Sequence, residues 1–96
     1  MSMVLTNPSA PDRIFYTYLF ARLVRDRRRK LGLSINRAAE LAGITSSQWV
    51  SIEAGWVPQD HKVVRTIAAA LEVRATELQV ASIMSFLAQE EGETVQ

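Results

Sequence analysis

Three glycines, Gly32, Gly43 and Gly55, and one proline, Pro58, cut the interior of this 96-residue chain into short segments whose apolar residues recur at helical rather than strand spacing. From Arg13 to Leu31 there is no Gly or Pro, apolar residues are dense, and Gly32 supplies the stop that a helix C-terminus favours. A long first helix is predicted there. Ser34 offers an N-cap, and Ala38, Ala39, Leu41 and Ala42 give a second helix of about two turns ending at Gly43. Thr45 caps a third helix, Gln48 completes a capping box, Ile44 is placed to staple onto Trp49, and the helix runs to Ala54 before Gly55. Pro58 and Asp60 open a fourth helix in which Val63, Val64, Ile67, Ala68 and Leu71 keep the helical period, and a fifth extends from Ala75 to Glu90. No segment alternates with a strand period. The expected class is all-α, with five helices.

A chain of this length has room for one core, and 48% hydrophobic with 22% charged residues is an ordinary globular balance. Residues 1–11, with Asn7, Pro8, Ser9 and Pro11, read as a flexible N-terminal arm, the first helix starting at Ser9 or Asp12. Residues 12–91 read as a single domain and 92–96 as a tail. The absence of cysteine rules out a disulfide scaffold and thiolate chemistry and fits a cytoplasmic location. The longest apolar stretch, Ile14 to Ala21, is far short of the roughly 20 residues of a membrane span. His61, the only histidine, lacks partners for a metal site, and neither metal nor cofactor is expected. With no Gly-rich phosphate loop and no Ser/His/Asp set, an enzyme is not expected either.

The net charge of +1 conceals a segregation. Residues 22–37 hold Arg22, Arg25, Arg27, Arg28, Arg29, Lys30 and Arg37 against Asp26 alone, whereas residues 38–96 are net acidic. One end of the molecule is thus suited to a polyanion. Arg25 to Lys30 wrap more than one helical turn, so they cannot all face the same partner.

The segment Ile35 to Ala54 carries the most specific pattern. Two helices joined by a short turn at a steep angle need a small residue at the crossing, which Ala39 provides, and a residue tolerant of positive φ in the turn, which Gly43 provides. Ala38, Ala42, Ile44, Trp49 and Ile52 then form the inward face of the pair. With Leu31-Gly32-Leu33-Ser34 before it, and Ile52-Glu53-Ala54-Gly55 and Ile67 to Leu71 after it, this segment resembles the phage-repressor-like (XRE) helix-turn-helix regulators over about Val24 to Leu78.

The resemblance implies a five-helix, repressor-like bundle, here with a long first helix and an extended C-terminal helix, whose third helix lies in the major groove of double-stranded DNA, usually in a homodimer. Carried over by position, Ser46, Ser47, Val50 and Ser51 are the candidate base contacts, and Arg28 and Glu53 match a structural salt bridge. Arg37 is the leading candidate phosphate contact, with His61 and Lys62 behind it. Gln48 is a further phosphate candidate, although the capping box accounts for it equally well. Two positions depart from the family pattern: Ile35 stands where a phosphate-contacting Gln is common, and Trp49 stands where Ile or Val is usual. Serine hydroxyls discriminate weakly between bases, so phosphate neutralisation should supply most of the affinity. Trp56 is expected to tuck against the fourth helix.

Ile14, Phe15, Tyr16, Tyr18, Leu19 and Phe20 surround the first helix almost completely, and Val80, Ile83 and Phe86 add a second apolar face to the fifth. A homodimer interface built from Phe15, Leu19, Val80, Ile83, Met84, Phe86 and Leu87 would cover both; packing of the two segments within one chain is the simpler alternative. The resulting expectation is a dimeric transcriptional repressor. The rival is an antitoxin or other interaction module whose apolar helix masks a toxin and whose DNA binding serves autoregulation.

Overall fold

A computed structural model describes residues 10–94, with side-chain surroundings from 13 to 90. Among these residues there are six helices and no strand: α1 (Ala10–Thr17), α2 (Leu19–Lys30), α3 (Ile35–Ala42), α4 (Ser46–Glu53), α5 (His61–Ala70) and α6 (Ala75–Thr94). Residues 10 and 11 of the arm expected over 1–11 are helical, and the rest of that segment lies outside the described residues. The last helix continues to Thr94, through the start of the expected tail.

The five-helix expectation is corrected at Tyr18. The segment read as one helix from Arg13 to Leu31 is two, and the cause lies far away in sequence. The Ser85 hydroxyl sits between the Tyr16 carbonyl and the Phe20 N–H, the two groups an unbroken helix would pair. It donates to Tyr16 O at 2.7 Å and accepts from Phe20 N at 3.0 Å. One turn along α6, Gln89 Nε2 donates to Thr17 O at 3.0 Å and to Gly55 O at 2.9 Å. A side chain inserted into the helical ladder is a recognised cause of a sharp bend. Tyr18, the residue before α2, makes no side-chain cap, so Ser85 serves α2 as a remote one.

Helix ends follow local rules more closely. At Gly32, Gly43, Gly55 and Glu72 the chain takes positive φ, and in each case the next N–H reaches back five residues. The pairs Leu33 N to Arg28 O, Ile44 N to Ala39 O, Trp56 N to Ser51 O and Val73 N to Ala68 O close four Schellman motifs. Glu72 is the non-glycine in this set. Arg27 braces it, donating from Nε to Leu71 O at 2.8 Å and from Nη2 to Glu72 O at 3.3 Å.

The core runs between the helices, with Phe20, Val24, Trp49, Ile52, Val64, Ile67 and Leu71 almost wholly buried. Ala38, Ala39 and Ala42 are buried where α3 meets α4 and α5, and their small side chains let the helices approach closely. Leu41, on the same helix, is exposed. Helix α6 packs against α1, α2 and α5.

Candidate nucleic-acid interface

The α3–α4 pair is held by short-range bonds. Ser34 Oγ accepts from Arg37 N at 3.0 Å at the start of α3. At the start of α4, Thr45 Oγ1 accepts from Gln48 N at 3.0 Å while Gln48 Oε1 accepts from Thr45 N at 2.9 Å, a complete capping box. Gly43 bridges the two with φ +73° and open space around the position of a Cβ, so its requirement is conformational rather than steric. Ile44 is partly buried against the core that holds Trp49.

The inner end of α4 is anchored to α2. Arg28 Nε and Nη2 donate to the two carboxylate oxygens of Glu53 at 2.6 and 3.0 Å, and Arg28 Nη1 donates to Leu33 O at 2.9 Å. Trp49 Nε1 adds a third donor to Glu53 at 2.6 Å. Both charged side chains are nearly buried, at 12% and 10% exposure. Burial alone pushes the Glu53 carboxyl up, but the hydrogen bonds from Arg28 and Trp49, with the positive charge of Arg28 and then Arg25, outweigh it and leave the pKa below the ordinary value. Arg28 is held more firmly protonated, chiefly by its bond to Glu53.

With its inner face and both ends fixed, α4 presents Ser47, Val50 and Ser51 to solvent. Ser46 differs: it is half-buried and its hydroxyl donates to Asn36 Oδ1 at 2.6 Å, so it is not the free hydroxyl that its position suggested. Asn36, an exposed residue of α3, was missed in the sequence because nothing local ties it to a residue ten positions on. Gln48 is exposed, with its carboxamide oxygen engaged in the cap. Ser47, Gln48 and Ser51 line a cleft together with Trp56.

The cations divide into two groups. Arg27 and Arg28 are engaged with carbonyls and with Glu53, whereas Arg29, Lys30, Arg37, Lys62 and Arg65 are exposed. Arg37 pairs with Glu40 at 2.9 Å on the surface of α3, a contact too solvated to hold it against a competing phosphate. Lys62 and His61 lie on the first turn of α5, where Asp60 Oδ1 accepts from Lys62 N as the cap. His61 lines a groove of α5 and α6 with Ile83, Phe86 and Leu87, away from the residues that share the Ser47 cleft.

Trp56 is not tucked against α5, the helix that follows it, as expected: it is 51% exposed. Val57 and Pro58 take the inward positions, and the Tyr18 ring lies against Gly55, where a Cβ would meet Tyr18 Cε1 at 3.0 Å. Of the residues considered for a dimer, Val80, Ile83 and Leu87 are exposed in one stripe of α6, and Phe15 is exposed beneath the Arg22 guanidinium. Leu19, Met84 and Phe86 are partly buried within the chain, Leu19 and Phe86 against the core.

Compared with known families, residues 19–81 match the family described as helix-turn-helix domain. The chain belongs to that family. No curated protein and no solved structure matches it. The match spans α2 to the start of α6, and so includes the capped α3–α4 unit and the anchoring pair but not α1. A helix-turn-helix domain is a DNA-binding domain. Of the two positions read above as departing from the repressor-like pattern, Trp49 is fully buried and bonded to Glu53, and Ile35 is partly buried against the core. Among the described residues no helix is long and apolar enough to cross a membrane, and no group of three or more His, Cys, Asp or Glu side chains is placed to hold a metal ion.

Proposed function

We propose that this helix-turn-helix protein is a sequence-specific transcription regulator of the cytoplasm that acts as a dimeric repressor. The observation that carries this reading is the exposed face of α4, where Ser47, Val50 and Ser51 stand free on a helix capped at its start and anchored at its end. Ser46 contributes as a hydrogen-bond acceptor, its proton being held by Asn36. Arg37 supplies the first phosphate contact, Lys62 and the free amide of Gln48 are further ones, and His61, which lines the groove shared with Ile83 and Leu87, has the smallest part. Exposed Arg29, Lys30 and Arg65 add to the positive field, so affinity should fall steeply with salt.

Dimerisation runs through Val80, Ile83 and Leu87, three apolar side chains about half exposed at 56, 48 and 56% on one face of α6. Met84 and Phe86 support this face from its buried edge, and Phe15 and Leu19 have a smaller share because their helices, α1 and α2, already pack on α6. Such a dimer would set two copies of α4 about 34 Å apart, one turn of DNA. Exposed Ile14, Phe15 and Tyr18 favour a second reading, in which this apolar patch receives another protein, such as a toxin, and DNA binding is autoregulatory.

Mobility-shift titration against DNA selected from a random pool tests the interface. Replacing Arg37, Ser46, Ser47 and Ser51 together should abolish the specific shift, and an unchanged shift refutes the assigned surface. Sedimentation at micromolar concentration tests the dimer, with Ile83→Glu expected to convert it to a monomer. A second chain that co-purifies in fixed ratio supports the interaction-module reading.

A further inference from the structure

Trp56 is the largest exposed side chain beside the α4 face, and its backbone is fixed. Gly55 takes φ +124° with Tyr18 packed against it, and Trp56 N donates to Ser51 O at 2.9 Å. The indole closes one side of a cleft of about 430 Å³ whose other walls are Ser47, Gln48 and Ser51. A tryptophan anchored in this way offers a broad, rigid contact surface at small entropic cost, since only two side-chain torsions remain to be ordered.

The chemistry of these walls selects among the parts of a DNA duplex. A phosphate calls for cations or several converging N–H donors. The cleft has an indole face, two short hydroxyls and a carboxamide. In the major groove, thymine alone presents an apolar group, its 5-methyl, next to a hydrogen-bond acceptor, O4. An indole against the methyl and a serine hydroxyl donating to O4 would meet both features. Serines alone discriminate weakly because a hydroxyl donates or accepts with equal ease; an adjoining apolar wall removes that ambiguity.

Building on the DNA-binding reading above, we infer that Trp56 is a specificity-determining residue that selects thymine in the half-site through its 5-methyl group. The inference concerns a residue outside both the α3–α4 unit and the base-contacting set of α4.

The probe is the duplex most strongly enriched from a random pool by the full-length protein, with each thymine replaced singly by deoxyuridine, which lacks only the methyl. Kd is read by fluorescence anisotropy of labelled DNA. The wild-type protein should bind about fourfold more weakly when one particular thymine per half-site is replaced, the loss expected for one buried methyl. Trp56→Ala should bind the thymine duplex more weakly and show no response to that replacement, while Trp56→Phe should keep most of it. Circular dichroism verifies that both variants are folded. Methyl sensitivity that persists in Trp56→Ala overturns the inference, as does an equal loss on every sequence or the lack of any methyl-sensitive thymine. Failure to enrich any DNA overturns the DNA-binding reading and this inference with it; normal enrichment with an unchanged methyl response in Trp56→Ala overturns the assignment of Trp56 alone.

Discussion

The turn between α3 and α4 and the break between α1 and α2 both interrupt the helical backbone, but they are made in opposite ways. At the first, Thr45 and Gln48 cap one another, Gly43 turns the chain, and the longest-range bond at the turn, Ser46 to Asn36, spans ten residues. At the second, the partners are Ser85 and Gln89, separated by 65 to 72 residues from the groups they satisfy. The helix-turn-helix joint is therefore specified by its own sequence, and the α1–α2 joint by the completed fold.

The pair linking these regions should give the largest effect when broken. Glu53→Ala leaves Arg28 nearly buried without its counter-charge and Trp49 without its acceptor, and should cost about 3–5 kcal/mol in urea unfolding. Because the folded pKa of Glu53 lies below the ordinary 4.5, its contribution is complete above that value and is lost as the pH falls through the lowered folded value. The stability gap between wild type and Glu53→Ala should thus narrow in acid below about pH 4.5; a constant gap would mean that the carboxylate charge does not matter.

Next is Ser85→Ala, which strands the Phe20 N–H and the Tyr16 carbonyl and should cost about 2–4 kcal/mol. If the α1–α2 joint instead heals into a continuous helix, the loss will be near zero and hydrogen exchange at Phe20 will slow. Thr45→Ala tests the local joint, with an expected cost of about 1 kcal/mol and faster exchange confined to the first turn of α4. The smallest effect has the opposite sign. Glu72→Gly relieves a non-glycine residue at φ +59° and should stabilise by about 0.5 kcal/mol after allowing for glycine's greater freedom when unfolded, measurable as a rise in Tm.

The same contrast explains what could be read from the residues alone. The caps at Ser34, Thr45 and Asp60, the turn glycines and the limits of α3, α4 and α5 are each encoded within a few residues, and the structure places them as the spacing predicts. The break at Tyr18 was invisible because no Gly or Pro marks it and its cause is a hydroxyl on the last helix. The exposed face of α4 was legible from its phase against Trp49 and Ile52, but the loss of Ser46's proton to Asn36 was not, since both residues look free in their own helices. Arg27 resembled its neighbours in the basic run, and only the positive φ of Glu72 and the carbonyls around it show why it is engaged. Trp56 was misread for a similar reason, as the inward positions are taken by Val57 and Pro58, and a tyrosine 38 positions earlier lies against Gly55.

The placement of Ser85 and Gln89 also orders events during synthesis. A ribosome delivers α1 and α2 first and α6 last, so a growing chain exposes the Phe20 amide and the carbonyls of Tyr16 and Thr17 long before their partners emerge. The middle of the polypeptide can take its shape while translation continues; the beginning must wait for the end.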